Sequence, residues 1–371
     1  EFVSAMEAGS GRDLAQFRRW YDQNGTPELH VLGEEYDAGA QEYRLKVAQA
    51  NPVYAKQQNE QEDESQRGGD PLLIPLRVGL LGADGRDLPL QLSGHTPIEG
   101  VDSPDTVTVP FVEAEQTLVF QNVAEAPVLS ILRGFSAPVH LKFAQERDRK
   151  DLAFLFAHDS DLFSRWEAGQ SLMRAAVGDA LATLANTGSG AADTAAAQPV
   201  DDGALLASDA TDPLLREAFQ KLVSADGLDP AYLSLALQLP SEAELSSTQN
   251  PAQIRATHIA RRSIRRALAA DNRDRLLSIY QELQASPELE GNSRRAVGER
   301  RLKNCVLGYL MSLGEAELHS LCFAQQRDAR TMTDETAALY LLTDGNAAER
   351  EESLALFKER WQQDALVKEH R

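Results

Sequence analysis

Apolar residues along the chain change their period twice. Over residues 1–23, Phe2, Val3, Met6, Leu14, Phe17 and Trp20 fall at helical spacing, with Ser10-Gly11 breaking the stretch and Asp13 placed to cap a second helix. Asn24-Gly25-Thr26-Pro27 then ends it. From residue 28 to about residue 143 the period becomes two, as in Tyr43, Leu45 and Val47 or in Ile74, Leu76, Val78 and Leu80. Further strands are predicted over 30–34, 117–123, 128–132 and 139–143, and Asp84-Gly85 marks a hairpin between Leu81 and Leu88. Seven or eight short strands in ~115 residues predict an antiparallel sandwich of immunoglobulin-like type.

Beyond residue 147 the helical period returns. Leu162, Trp166, Gly169, Met173, Val177, Ala180 and Leu184 stripe one long helix, and Leu302, Cys305, Val306, Tyr309, Leu310 and Leu313 stripe another. Helices are predicted over 204–224, 230–238, 251–269, 273–285, 293–312, 316–326, 334–342 and 347–363, with Pro230 and Pro251 in first turns. About ten helices with short links and no strand signal predict an all-α superhelix or solenoid. The organisation expected is therefore residues 1–26 as the trailing helices of an absent domain, 27–146 as the β-sandwich and 147–371 as the helical domain. Residues 186–203, around Gly188-Ser189-Gly190, have the composition of a flexible connection. Residues 57–70, with Glu60, Glu62, Asp63 and Glu64, read as an exposed hairpin loop.

Composition excludes several classes. Of 371 residues, 42% are hydrophobic and 25% charged, enough for two or three domains with their own cores. The net charge of −20 opposes a nucleic-acid binder or a protein held on an anionic membrane, and no apolar run approaches the length of a membrane span. Only Cys305 and Cys322 occur, which fits a reducing compartment, the cytoplasm. The first residues, Glu1-Phe2-Val3-Ser4, resemble neither a signal peptide nor a natural N-terminus and read as an artificial boundary.

The usual catalytic signatures are missing. Of the seven histidines, His30, His95, His140, His158, His258, His319 and His370, no two are four apart, so the H-E-x-x-H zinc helix does not occur. Nor is there a nucleophile elbow, a P-loop or a dinucleotide fingerprint. Cys305 and Cys322 read as core packing. One charge feature stands against the acidic background: Arg255, Arg261, Arg262, Arg265, Arg266, Arg273 and Arg275 face only Asp271 and Asp274 in sequence, and Arg294, Arg295, Arg300, Arg301 and Lys303 form a second cluster. These read as solvated helix faces paired with acids, or else as a basic lining suited to an acidic partner or peptide carboxylates.

Trp20, Gln23, Gly25 and Pro27 recur at the spacing found where the catalytic domain of gluzincin aminopeptidases passes into the beta domain, and the segment resembles that junction. Ile74-Pro75-Leu76-Arg77-Val78-Gly79-Leu80, Phe135-Ser136-Ala137-Pro138-Val139 and residues 161–170, from Asp161 through Arg165-Trp166 to Gly169-Gln170, are similar to the bacterial alanyl aminopeptidase N branch. Thr331-Met332-Thr333-Asp334 and Lys358-Glu359-Arg360-Trp361 are similar in kind to its helical domain, so the resemblance runs along the whole chain.

The resemblance implies a four-domain zinc aminopeptidase that removes N-terminal residues from peptides. On that basis the chain is expected to be a non-catalytic, C-terminal portion, the scaffold and lid of a peptide chamber, with zinc belonging to the parent enzyme and the upstream catalytic domain as its partner. The resemblance implies that the zinc ligands, the general base and the amine-holding loop would precede Glu1, and that the last helices of the family's helical domain would follow Arg371. No catalytic, cofactor-binding or metal residue is assigned. The alternative is a stand-alone interaction scaffold that binds an acidic partner through residues 255–275.

Overall fold

A computed structural model describes residues 1–23, 25–51, 70–98, 103–187, 206–207, 210–246 and 254–368. Most of the expected acidic loop at 57–70 and of the connection at 186–203, together with Pro251 and His370, lies outside the described residues. The chain divides into two units, Glu1–Ala168 and Gly169–Arg371.

In the first unit, α1 (Phe2–Ser10) and α2 (Ala15–Asp22) precede eight strands. Asp13 accepts the Ala15 amide at 2.8 Å, as a residue at a helix start should. α2 is tied to the strands by side-chain donors: Trp20 Nε1 to the Leu73 carbonyl at 2.9 Å and Gln16 Nε2 to that of Val112 at 2.7 Å.

The strands are β1 (Glu28–Asp37), β2 (Glu42–Ala50), β3 (Ile74–Leu81), β4 (Gln91–Ser93), β5 (Val107–Phe111), β6 (Glu115–Gln121), β7 (Val128–Ile131) and β8 (His140–Phe143). They form a five-stranded sheet, β4-β6-β2-β1-β8, and a three-stranded sheet, β5-β3-β7. Every ladder is antiparallel except that β8 runs parallel to β1. The reversal at Asp84-Gly85 is held by Leu88 N to Leu80 O at 2.8 Å. Alternation sends Leu29, Val31, Tyr43, Leu45 and Val47 of one sheet and Ile74, Leu76, Val78 and Leu80 of the other into a shared core with Phe111 and Phe120. Fully burying each such side chain contributes roughly 1.5–3 kcal/mol.

The sequence pattern predicts no strand over β5. Its residues are buried except Pro110, so no alternation shows, and a proline in a run argues against a strand. The structure accommodates it at a sheet edge, opposite Pro75 of β3, a register that sets two non-donors against each other.

A 3-10 turn (Arg133–Phe135) and α3 (Arg149–His158) complete this unit, and α4 (Leu162–Thr187) crosses into the second. Met173, Val177, Ala180 and Leu184 of the predicted α4 stripe are buried, whereas Leu162, at its first residue, is exposed.

The second unit continues with α5 (Pro213–Ser224), α6 (Pro230–Ala236), α7 (Glu242–Ser246), α8 (Ile254–Asp271), α9 (Arg273–Gln284), α10 (Arg294–Met311), α11 (Ala316–Asp328), α12 (Met332–Asp344), α13 (Arg350–Trp361) and α14 (Ala365–Lys368). Starts are written in the sequence: Asp212 and Asp229 cap α5 and α6 with Pro in the first turn, and Ser293 and Thr331 cap α10 and α12. α5 therefore begins at Pro213 rather than at residue 204. α10 packs on α6, α8, α9, α11 and α12, so it is the shared wall of the array. Gly298 permits this, because a Cβ there would lie 2.9 Å from the Ala231 amide nitrogen of α6.

Candidate functional site

The histidines are dispersed. His30 bonds Glu28 at 3.0 Å, His95 bonds Gln116 at 3.1 Å and His258 bonds Glu242 at 2.8 Å. The His158 ring lies 5.0 Å from that of Phe154, and His140 is exposed on β8. Among the described residues no group of three or more His, Cys, Asp or Glu is arranged to hold a metal ion. The zinc implied by the resemblance therefore does not fit this chain's described residues, and no step of chemistry is routed through it.

The two thiols are free. Burial pushes Cys305 up to about 11 and Cys322 up to about 12, the opposite of what nucleophilic chemistry requires.

Among the buried charges of the described residues, two networks stand out. In the first unit Arg133, only 2% exposed, donates Nη2 to Asp87 at 2.5 Å and to Asp159 at 3.0 Å, Nε to Ser130 at 2.8 Å and Nη1 to Thr106 at 2.8 Å. Its guanidinium lies against Gly79 of β3, where any Cβ would fall 2.0 Å from Cζ. Burial holds Asp159 above the usual carboxylate range while Arg133 draws it back. Each guanidinium nitrogen of Arg133 finds an acceptor, so the cluster reads as a clamp between β3, β7 and the end of α3.

In the second unit Lys303 of α10 donates to Asp334 and to Gln284, each at 2.9 Å, and Asn304 donates to the other Asp334 oxygen at 2.9 Å. Tyr280 and Gln325 extend the network. It forms the floor of a cavity of about 340 Å³ whose rim carries Glu290 and Arg330, themselves paired at 2.6 Å. Lys303 and Arg300 correct the expectation of a solvated second cluster: both are buried, Arg300 giving Nη1 to the Leu289 and Gly291 carbonyls at 2.6 Å. Three residues apart on α10, they share the face that packs inward, whereas Arg294 and Arg301 are exposed.

The first arginine cluster is spread over α8 and the start of α9. Arg273 grips Glu315 at 2.6 Å and also Glu317, and Arg275 gives Nε to the Val223 carbonyl at 3.1 Å. Arg216 of α5 pairs with Asp271 at 2.5 Å. Arg261 gives Nε to the Pro240 carbonyl at 2.8 Å, and the Arg265 guanidinium carbon stands 5.9 Å from the Tyr309 ring centre. Part of the cluster thus secures helix ends, and Arg261 and Arg265 do not.

An Ig-like sandwich followed by an array of helices is also what comparison with known proteins returns. A family model described as a domain of unknown function with ARM repeats (DUF3458_C) matches residues 149–370, more than half the chain, and the chain belongs to that family. A second, described as a domain of unknown function with an Ig-like fold (DUF3458), matches residues 25–144. Over 99% of its length the chain is 32% identical to aminopeptidase N of Escherichia coli K12, covering 38% of that protein. It is likewise 32% identical to aminopeptidase N of Caulobacter vibrioides and 28% identical to that of Haemophilus influenzae, covering 37% of each. The chain thus spans well under half the length of these relatives. A crystal structure of Legionella pneumophila aminopeptidase A in complex with aspartic acid shares the fold, with a TM-score of 0.70 at 24% identity over 98% of this chain and 37% of that one.

Proposed function

We propose that the chain is the non-catalytic portion of a zinc aminopeptidase that removes N-terminal residues from peptides in the cytoplasm. The observation that carries this reading is the similarity, along 99% of the chain, to relatives called aminopeptidase N in which it accounts for 37–38% of the length. In this reading the zinc ligands and the general base belong to sequence outside these 371 residues. The sandwich and helices serve as scaffold and lid of the chamber in which peptides are held. Their interior charges support a scaffold, because Arg133 and Lys303 are each held by carboxylates of the same unit. Among the described residues no helix is long and apolar enough to cross a membrane.

The test is hydrolysis. The purified chain with added zinc should not cleave alanine or arginine arylamides; zinc-dependent turnover that co-purifies with it would overturn the proposal. The chain should also bind the upstream catalytic domain in trans, with affinity that falls as salt rises, and calorimetry showing no binding at low salt would count against that partnership.

A further inference from the structure

Within α8, Arg261 and Arg265 stand one helical turn apart, so their side chains rise side by side about 5–6 Å apart at Cβ. Both are half-buried. Where this fold uses an arginine for its own cohesion nearby it supplies an acceptor, as at Arg273 with Glu315 or Arg216 with Asp271. Among the described residues Arg261 and Arg265 pair with no carboxylate. Arg261 gives Nε to the Pro240 carbonyl, and Arg265 lies over Tyr309.

Like charges at this spacing repel, and partial withdrawal from water sharpens the repulsion. Burial first, and Arg265 second, hold Arg261 below the usual arginine value. Both guanidinium charges act on the Tyr309 hydroxyl, which is already committed as a donor to the Leu237 carbonyl at 2.5 Å. The positive potential therefore converges on one place beside Tyr309. Of the acids that Arg261 feels, Glu242 is engaged by His258 at 2.8 Å and Asp344 acts only at a distance. Two neighbouring guanidinium groups beside Tyr309, with donors left over among the described residues, fit a planar, bidentate anion, while the chain's net charge of −20 opposes a polyanion.

We propose that Arg261 and Arg265 form a binding site for a single carboxylate carried by a peptide, either its C-terminus or an acidic side chain. The choice of a peptide as the carrier rests on the function proposed above.

The experiment is calorimetry on the 371-residue chain at low salt with three N-acetylated probes: Ala-Ala as the free acid, Ala-Ala amide, and Glu amide. Their blocked amines keep them from serving as aminopeptidase substrates, so the outcome does not depend on whether any hydrolysis occurs. At least one acid should bind with one-to-one stoichiometry and the uncharged amide should not; which acid binds names the source of the carboxylate. Arg265→Gln should weaken binding about tenfold, the loss of one charge-assisted hydrogen bond. Arg301→Gln, on an exposed position of α10, should leave binding unchanged. Melting followed by circular dichroism establishes that the variants are folded, and Arg265→Gln decides the matter should Arg261→Gln unfold. Absence of binding by both acids, equal binding of the amide, or equal weakening by Arg301→Gln would overturn the assignment.

Discussion

Arg133→Met takes the paired cation away from two carboxylates that are themselves nearly sealed from water, Asp159 at 0% and Asp87 at 9% side-chain exposure. Breaking a buried pair from one side leaves an uncompensated charge and costs roughly 3–5 kcal/mol. For a unit of this size each kcal/mol is worth about 2–4 °C, so a fall of roughly 10 °C in Tm is expected. The loss should depend on pH with a defined sign. Burial already holds Asp159 above the usual carboxylate range, with Arg133 opposing. A carboxyl raised in the folded state binds its proton there at higher pH than in the unfolded chain, so stability rises as pH falls through that window. Without Arg133 the folded value climbs further and the window widens toward neutrality. The penalty measured at pH 7 should therefore shrink by about 1 kcal/mol or more at pH 5, a shift of one unit or so in the folded pKa. Urea unfolding followed by Trp20 and Trp166 fluorescence, in a Trp361→Phe background, reads the first unit. A penalty below about 1 kcal/mol at pH 7, or one that grows on acidification, would refute the electrostatic account.

Three further outcomes are expected. Gly79→Ala sets a methyl 2.0 Å from Arg133 Cζ and should destabilise by about 1–3 kcal/mol; its effect should fall in an Arg133→Met background, and strict additivity in urea titrations would contradict the contact. Asp229→Ala removes the acceptor of the Ala231 and Tyr232 amides at 2.8 and 3.1 Å and should cost about 1 kcal/mol by urea titration, an unchanged midpoint being evidence against the cap. Cys305, half-buried, and Cys322, buried, are pushed up to about 11 and 12 and should resist iodoacetamide at pH 8 in the folded chain and react in urea; rapid native labelling of either thiol, read by mass spectrometry, would contradict the upward shift.

What could be read in the sequence follows from what is local. β2 shows its alternation because one face meets the core and the other meets water, and α5 and α6 announce themselves through Asp-Pro starts. β5 hides because most of it is buried on both faces. The parallel pairing of β8 with β1 joins residues more than a hundred positions apart, and no local signal encodes its direction. The same holds for the interior charges. Arg133 meets Asp159 at a separation of 26 residues and Lys303 meets Asp334 at 31, so in sequence each is an ordinary charged residue. The sequence accordingly places Lys303 and Arg300 with an exposed basic face. The excess of arginine in residues 255–275 was visible, whereas the division between arginines that hold helix ends and the pair at Arg261 and Arg265 needed the folded chain.

The central claim is that this chain works as part of an aminopeptidase whose catalytic groups lie elsewhere in the same polypeptide. Immunoprecipitation from extracts of the source cells, with an antibody raised against the 371-residue chain, tests it most directly when the washed precipitate is assayed on alanine arylamide. The account predicts that the precipitate hydrolyses the arylamide and that a zinc chelator abolishes the activity. A precipitate that contains the polypeptide and shows no hydrolysis would contradict it.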